Sequence, residues 1–161
     1  GLSYSKGSGE ACCYASQTYS FDGNASGAFL GYNHVFGDWL FGAELAISSG
    51  DYESFDGSNP FMDLENVRDI KARVGRVFGS TLVYGVVGRS TMDVQMWGGS
   101  IADGDASATA YGLGFETGIG SKGFVGGEYL KRDLDLSEGP AFYANDGANL
   151  DTLSLRVGLR F

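Results

Sequence analysis

Few residues in this chain of 161 are placed to do covalent or acid–base chemistry. The one histidine, His34, could act as a general base, but that role needs a hydroxyl, thiol or carboxylate partner. It sits among Asn33, Val35 and Phe36, and an ordinary surface side chain is the simpler expectation. Cys12 and Cys13 are adjacent, which is neither a zinc spacing, a redox motif nor a disulfide framework. They could form a strained vicinal disulfide, pair between molecules or stay reduced, and an oxidising compartment favours some disulfide. The preceding Gly9-Glu10-Ala11 does not resemble the small apolar run before a lipidated cysteine. Asp103-Gly104-Asp105 offers hard oxygen ligands for a divalent cation, but no EF-hand or nonapeptide spacing surrounds it. We therefore expect no catalytic residues, no metal and no cofactor. What remains is a set of charges spaced for pairing with each other: Glu44, Arg73, Arg89, Glu116, Glu128, Arg132 and Arg156, with Asp69, Lys71, Asp93 and Arg160 beside them.

The elements that carry these charges follow from composition and period. The chain holds 27 Gly and 22 aromatic residues against 2 Pro, 2 Cys and 1 His. Glycine at this density argues against long helices, since each interior Gly costs up to ~1 kcal/mol. The hydrophobic share of 43% is too high for a disordered chain, and there is no collagen period. Net charge is −9, so no basic stripe is available to neutralise phosphates and nucleic acid is excluded as a partner. No apolar run approaches the ~18 residues of a membrane helix. The chain opens at Gly1 without a charged or apolar leader, and a signal peptide is expected to have been removed.

Alternation at period two is the dominant pattern. Leu153, Leu155, Val157, Leu159 and Phe161 share one face, opposite Thr152, Ser154, Arg156, Gly158 and Arg160. Segments 39–50, 67–78 and 108–119 repeat the pattern, with Glu44, with Asp69, Lys71 and Arg73, and with Glu116 on their polar faces. Segments 1–7, 28–36, 82–94 and 124–134 complete eight strands, the first of them short or truncated at its start. In 82–94 the apolar face is assigned to Leu82, Tyr84 and Val86, which puts Arg89 on the polar face. The connections at 37–38, 79–81 and 120–123 are tight. Those at 8–27, 51–66, 95–107 and 135–149 are long, and hold more than half of the 20 acids and no Lys or Arg.

Short turns at one end and long loops at the other are the plan of an eight-stranded antiparallel transmembrane barrel, with periplasmic turns and extracellular loops. Phe36, Trp39, Phe41, Phe78, Tyr84, Phe124 and Phe161 lie near the short turns, where an aromatic girdle would sit. The polar faces then line the interior, where six bases meet five acids and unpaired charge would be costly. Counting from the short-turn end puts Glu44 level with Arg73, and Glu128 with Arg156. Charges on the apolar face, His34, Arg76, Lys6, Lys131, Asp133 and Asp151, all avoid the middle of the span, where each would cost ~2–4 kcal/mol. Lys6 and Lys131 could meet lipopolysaccharide phosphates at the outer interface, or simply snorkel with Asp133 or Asp151 as partner.

Gly31-Tyr32-Asn33, the run from Phe36 to Glu44, Arg73-Val74-Gly75 with Leu82-Val83-Tyr84, and Gly127-Glu128-Tyr129 resemble the small outer-membrane β-barrel proteins of proteobacteria, the porin-family or opacity-like barrels. The resemblance covers about residues 28–161. It implies both termini in the periplasm, no catalytic residues, and a C-terminal assembly signal in Leu153, Leu155, Val157, Leu159 and Phe161, read by the outer-membrane assembly machinery. The function expected is a non-enzymatic structural component and surface-contact module, whose partners are lipid, lipopolysaccharide and other surface proteins. A narrow ion or small-solute channel is the alternative, and a surface-acting enzyme with His34 a third.

Overall fold

The computed structural model describes residues 1–13, 17–56, 59–96, 102–135 and 148–161, and at the far tips of the strands it describes the backbone alone. Among these residues there is no helix. Eight strands run in sequence order: β1 Leu2–Cys13, β2 Gln17–Phe36, β3 Trp39–Asp56, β4 Asn59–Phe78, β5 Thr81–Met96, β6 Ala102–Ile119, β7 Gly123–Asp135 and β8 Ala148–Leu159. Each pairs antiparallel with its neighbour, and β1 pairs with β8, so the sheet closes on itself. Following directly opposed residues around the wall leads from Ala11 through Ala148, Leu134, Ala108, Ser90, Asp69, Ala46 and Phe29 to Gly1, ten residues from the start. A stagger of that size over eight strands tilts them by roughly 40° and leaves an interior only wide enough for side chains.

The short turns form because glycine supplies the left-handed backbone that a tight hairpin requires. Gly37 and Gly79 open two-residue turns at φ 61°, and Gly120 opens the third turn at φ 63°. The opposite ends differ from the sequence expectation. Most of the segments expected as long loops are strand: β2 and β4 each run 20 residues, and β3 and β6 each run 18. A barrel strand crosses a membrane in ~9–11 residues, so the hairpins continue well past that length. Polar alternation carries no hydrophobic signal there, which is why the extensions read as loops. Likewise β1 continues beyond residue 7 to Cys13. The side chains of Cys12, Cys13, Asp103 and Asp105 lie outside the described residues, as do Trp97, Phe142 and Tyr143.

β5 faces the opposite way from the sequence expectation. Leu82, Tyr84 and Val86 point into the barrel and are buried, whereas Val83 and Val87 face out. Both faces of 82–87 are apolar, so alternation alone cannot orient this strand. Register can: Val86 is opposite Arg73, which is interior, and Arg89 is opposite Ile70, which is exterior. Arg89 is therefore exposed and donates to Ser107 Oγ at 2.7 Å instead of joining the interior charges. Tyr84 leaves the girdle for the same reason, and Phe124 on β7 is interior as well, while Phe36, Trp39, Phe41, Phe78 and Phe161 are exposed near the turns.

Candidate functional site

The interior is built in layers. Toward the short turns, Leu40, Leu82, Tyr84, Val86, Ala110 and Leu130 pack together. Toward the strand extensions, Ala25, Tyr52, Val67, Met92, Leu134 and Leu150 form a second apolar cluster with three further alanines, Ala106, Ala108 and Ala148. Neither cluster stood out in the sequence, because inward apolar residues among polar ones do not disturb a period-two pattern.

The buried charges join these layers. Lys71 Nζ lies 2.8 Å from Glu44 Oε1 and 2.5 Å from Glu128 Oε1. Arg156 closes the figure, with Nη2 at 2.5 Å from Glu44 and Nη1 at 2.6 Å from Glu128. Acid and base thus alternate around a four-membered ring drawn from β3, β4, β7 and β8. Arg73 extends it, touching Glu44 at 3.1 Å and Glu116 at 2.7 Å, and also donates to Asn33 at 2.8 Å. Arg132 forms a separate pair with Asp69 at 2.8 Å and donates to Ser90 and Thr152. Four buried bases therefore meet four buried acids, which is what a region without bulk water demands. Arg160 is half-exposed and reaches Glu116 at 3.4 Å.

Neutral groups fix the ring's geometry. Tyr84 Oη donates to Glu128 at 3.0 Å, and its ring lies 5.0 Å from the Arg73 guanidinium. The Arg156 guanidinium stacks 4.0 Å from the Phe29 ring centroid. Gly114 makes room for Tyr84, because any Cβ there would run into the Tyr84 ring. Glu44 Oε1 feels the Lys71 charge although the contact is off the line of a hydrogen bond, and Nε of Arg73 and of Arg156 has no acceptor. Of the interior charges expected from sequence, Glu44, Asp69, Lys71, Arg73, Glu116, Glu128, Arg132 and Arg156 are brought inside, Arg160 stays half-exposed, and Arg89 and Asp93, both on the outward face of β5, are not inside. The partner least visible in sequence was Lys71, which bridges both ring carboxylates.

The exterior is the inverse of a soluble protein's. Leu30, Tyr32, Leu45, Ile47, Ile70, Leu113 and Leu159 are each more than half exposed, and every strand contributes to this surface. Leu153, Leu155, Val157 and Leu159 face outward on β8, and Phe161 follows its end. His34 is exposed near the short turns, opposite Phe41. Lys6 is exposed and Lys131 half-buried, both on outward positions. Among the described residues no cluster of His, Cys, Asp and Glu is arranged to hold a metal.

A closed barrel that is apolar outside and ion-paired inside is an integral membrane barrel of the outer-membrane type. The chain belongs to the outer membrane protein beta-barrel domain family, whose model matches residues 1–161. Comparison with curated protein sequences gives no significant match. Among solved structures, Ail, the attachment invasion locus protein of Yersinia pestis, is similar at TM-score 0.56 and 14% identity, covering 99% of this chain and 96% of Ail. Ail in complex with the heparin analogue sucrose octasulfate is similar at TM-score 0.52 and 16% identity, covering 99% and 97%. Neisserial surface protein A is similar at TM-score 0.52 and 10% identity, covering 99% and 96%. At these identities the likeness is one of fold.

Proposed function

We propose that the chain is a plugged, non-enzymatic outer-membrane barrel that serves as a structural component and presents an acidic contact surface outside the cell. The observation that carries this reading is the interior: a neutral ring of alternating charges packed against buried apolar clusters. The cavity beside the ring measures about 30 Å³, the space of one or two waters and far from a continuous pathway. The charged side chains in its lining, Glu44, Asp69, Lys71, Glu128, Arg132 and Arg156, are already engaged with one another and do not form a nucleophile with a base. His34 is on the wrong face and at the wrong end for surface chemistry.

The short turns face the periplasm and the strand extensions face outward, with Lys6 and Lys131 at the lipopolysaccharide interface. Leu153, Leu155, Val157, Leu159 and Phe161 form the assembly signal. Residues 1–161 act as a single barrel domain. Ail is named for attachment and has been captured with a heparin analogue, which supports a contact role for a barrel of this fold. This chain's outer end carries acid without Lys or Arg, so the partners it fits are cationic. Planar-bilayer recording of the refolded chain tests the plug. No reproducible conductance steps are expected, and steps of constant size would assign a channel instead.

A further inference from the structure

The interior cavity has a chemistry of its own. Four inward-facing serines line it, Ser154 on β8, Ser3 and Ser5 on β1 and Ser48 on β3, together with Asp69 and Lys71. Ser5 and Ser154 share a hydrogen bond at 2.9 Å, while the hydroxyls of Ser3 and Ser48 have no partner among the described residues. Glu44 also borders the cavity, and its Oε1 has no aligned donor. A polar cavity of about 30 Å³ has room for roughly one or two waters, each needing only about two to four such groups. Apolar side chains stand across the axis at both ends: Leu40, Leu82 and Phe124 one residue from the turns, Tyr52, Met92 and Leu134 eleven or more.

The second observation is the wall beside Ser48. Ser48 is opposite Val67 and Tyr52 is opposite Leu64, so three residues of β3, Ser49 to Asp51, face only two of β4. On the other edge of β4, Asn66 and Val67 face Met92 alone, and Asn66 takes a left-handed bulge backbone at φ 50°. The six other strand pairs keep one register throughout. At this height the wall is small and polar on both faces, with Ser26 and Ser49 outside and Gly27 and Ser48 inside. Ser26, Ser49, Asn66 and Arg68 border a pocket of about 300 Å³ on the outer face. Ile47 and Ser48 border both that pocket and the interior cavity. Ser48 is nine residues along β3 from Trp39. With ~3.3 Å per residue and a ~40° tilt, that is roughly 23 Å above the turns, near the edge of an apolar band ~25 Å tall.

We propose that the interior cavity is a water site filled through the side of the barrel. Water binds between Ser3, Ser48 and the buried charges, and exchanges with solvent across the β3–β4 bulge. Backbone groups that the bulge releases from the ladder give a passing water hydrogen-bond partners, which an unbroken ladder does not. The two ends offer few such partners, because the side chains across them are hydrocarbon and aromatic. The axial plug is untouched by this route, since the side passage ends at the buried charges.

Water-to-protein cross-relaxation NMR on the refolded full chain, perdeuterated and in detergent, tests the site. Cross-peaks from long-lived water to the amide protons of Ser5 and Ser154 are expected, although both strands lie within the apolar band. Ser48→Val and Ser3→Val put methyl groups where water binds, and each should weaken those cross-peaks about fivefold or more. The heat-modifiable gel shift of a folded barrel checks both variants. The route is read from the residence time of the bound water by oxygen-17 relaxation dispersion. Ser26→Leu with Ser49→Leu fills the outer pocket from exposed positions and should lengthen that time about tenfold. Ala43→Leu, also exposed but lower on β3, should leave it unchanged. Absence of cross-peaks in wild type, or their survival in both folded valine variants, overturns the site. An unchanged residence time in the double leucine variant, or an equal lengthening in Ala43→Leu, overturns entry through the bulge.

Discussion

Glu44 and Arg89 show how differently two charges behave on opposite sides of one wall. Glu44 is buried and touches Lys71, Arg73 and Arg156. Truncating it leaves three cations with fewer acids in a dry interior, a change that costs about 3–5 kcal/mol. Glu44→Ala should therefore lower unfolding stability in urea by about that amount, measured on refolded barrel. Replacing the pair with apolar residues of similar volume, as in Glu44→Met with Arg156→Met, should recover part of the loss, because both desolvation costs then disappear. Arg89→Ala should stay within about 0.5 kcal/mol of wild type, since its side chain is exposed and holds only a serine hydroxyl. A loss of several kcal/mol at Arg89 would mean that β5 faces the other way.

That facing is where sequence and structure part company, and β5 explains why. Strands with one polar and one apolar face, such as 108–119, orient themselves, and their boundaries at the short turns were legible to within a residue or two. In 82–87 neither face is polar, so the orientation is fixed only by pairing: Val83 beside Arg76 and Phe115, Val86 beside Arg73 and Gly112. Non-local register of this kind is not written in a local window. The ring was partly legible because Glu44 and Arg156 each stand on a strongly alternating segment, whereas Lys71's double contact depends on how four strands converge. Tryptophan placed singly at 83, 84, 86 or 87, in a Trp39→Phe, Trp97→Phe background, reads the orientation directly. Brominated lipid should quench tryptophan at 83 and 87 and spare it at 84 and 86. The last strand makes its own prediction. Deleting Phe161, which packs against nothing and is fully exposed, should leave in-vitro refolding almost unchanged yet sharply reduce the barrel in outer membranes, as a recognition signal requires and a packing residue would not.

At the scale of the whole molecule, charge is divided by height. The interior is neutral, with four buried acids facing four buried bases, while the net −9 resides mainly in segments 8–27, 51–66, 95–107 and 135–149. Because β1, β2, β3, β4 and β6 extend as strands through most of segments 8–27, 51–66 and 95–107, the acids there stand on paired backbone and not on free loops. Fixed like charges raise the local potential more than the same charges on a freely moving chain, and they disfavour an approaching polyanion. Ail is described in complex with the heparin analogue sucrose octasulfate, a polyanion. The charge distribution of this chain disfavours such a ligand. Refolded protein should pass unretained through immobilised heparin at ~0.15 M salt, where the Debye length is ~8 Å and only near charges act. It should bind a lysine-rich peptide, with affinity falling several-fold as salt rises from about 0.05 to 0.3 M. Replacing Asp51, Glu53, Asp56, Asp63 and Glu65 with their amides removes the densest acidic group without touching the membrane band, and should weaken peptide binding while leaving the barrel folded. Retention on heparin by the wild-type chain would show that shape, not charge, selects the partner at this end.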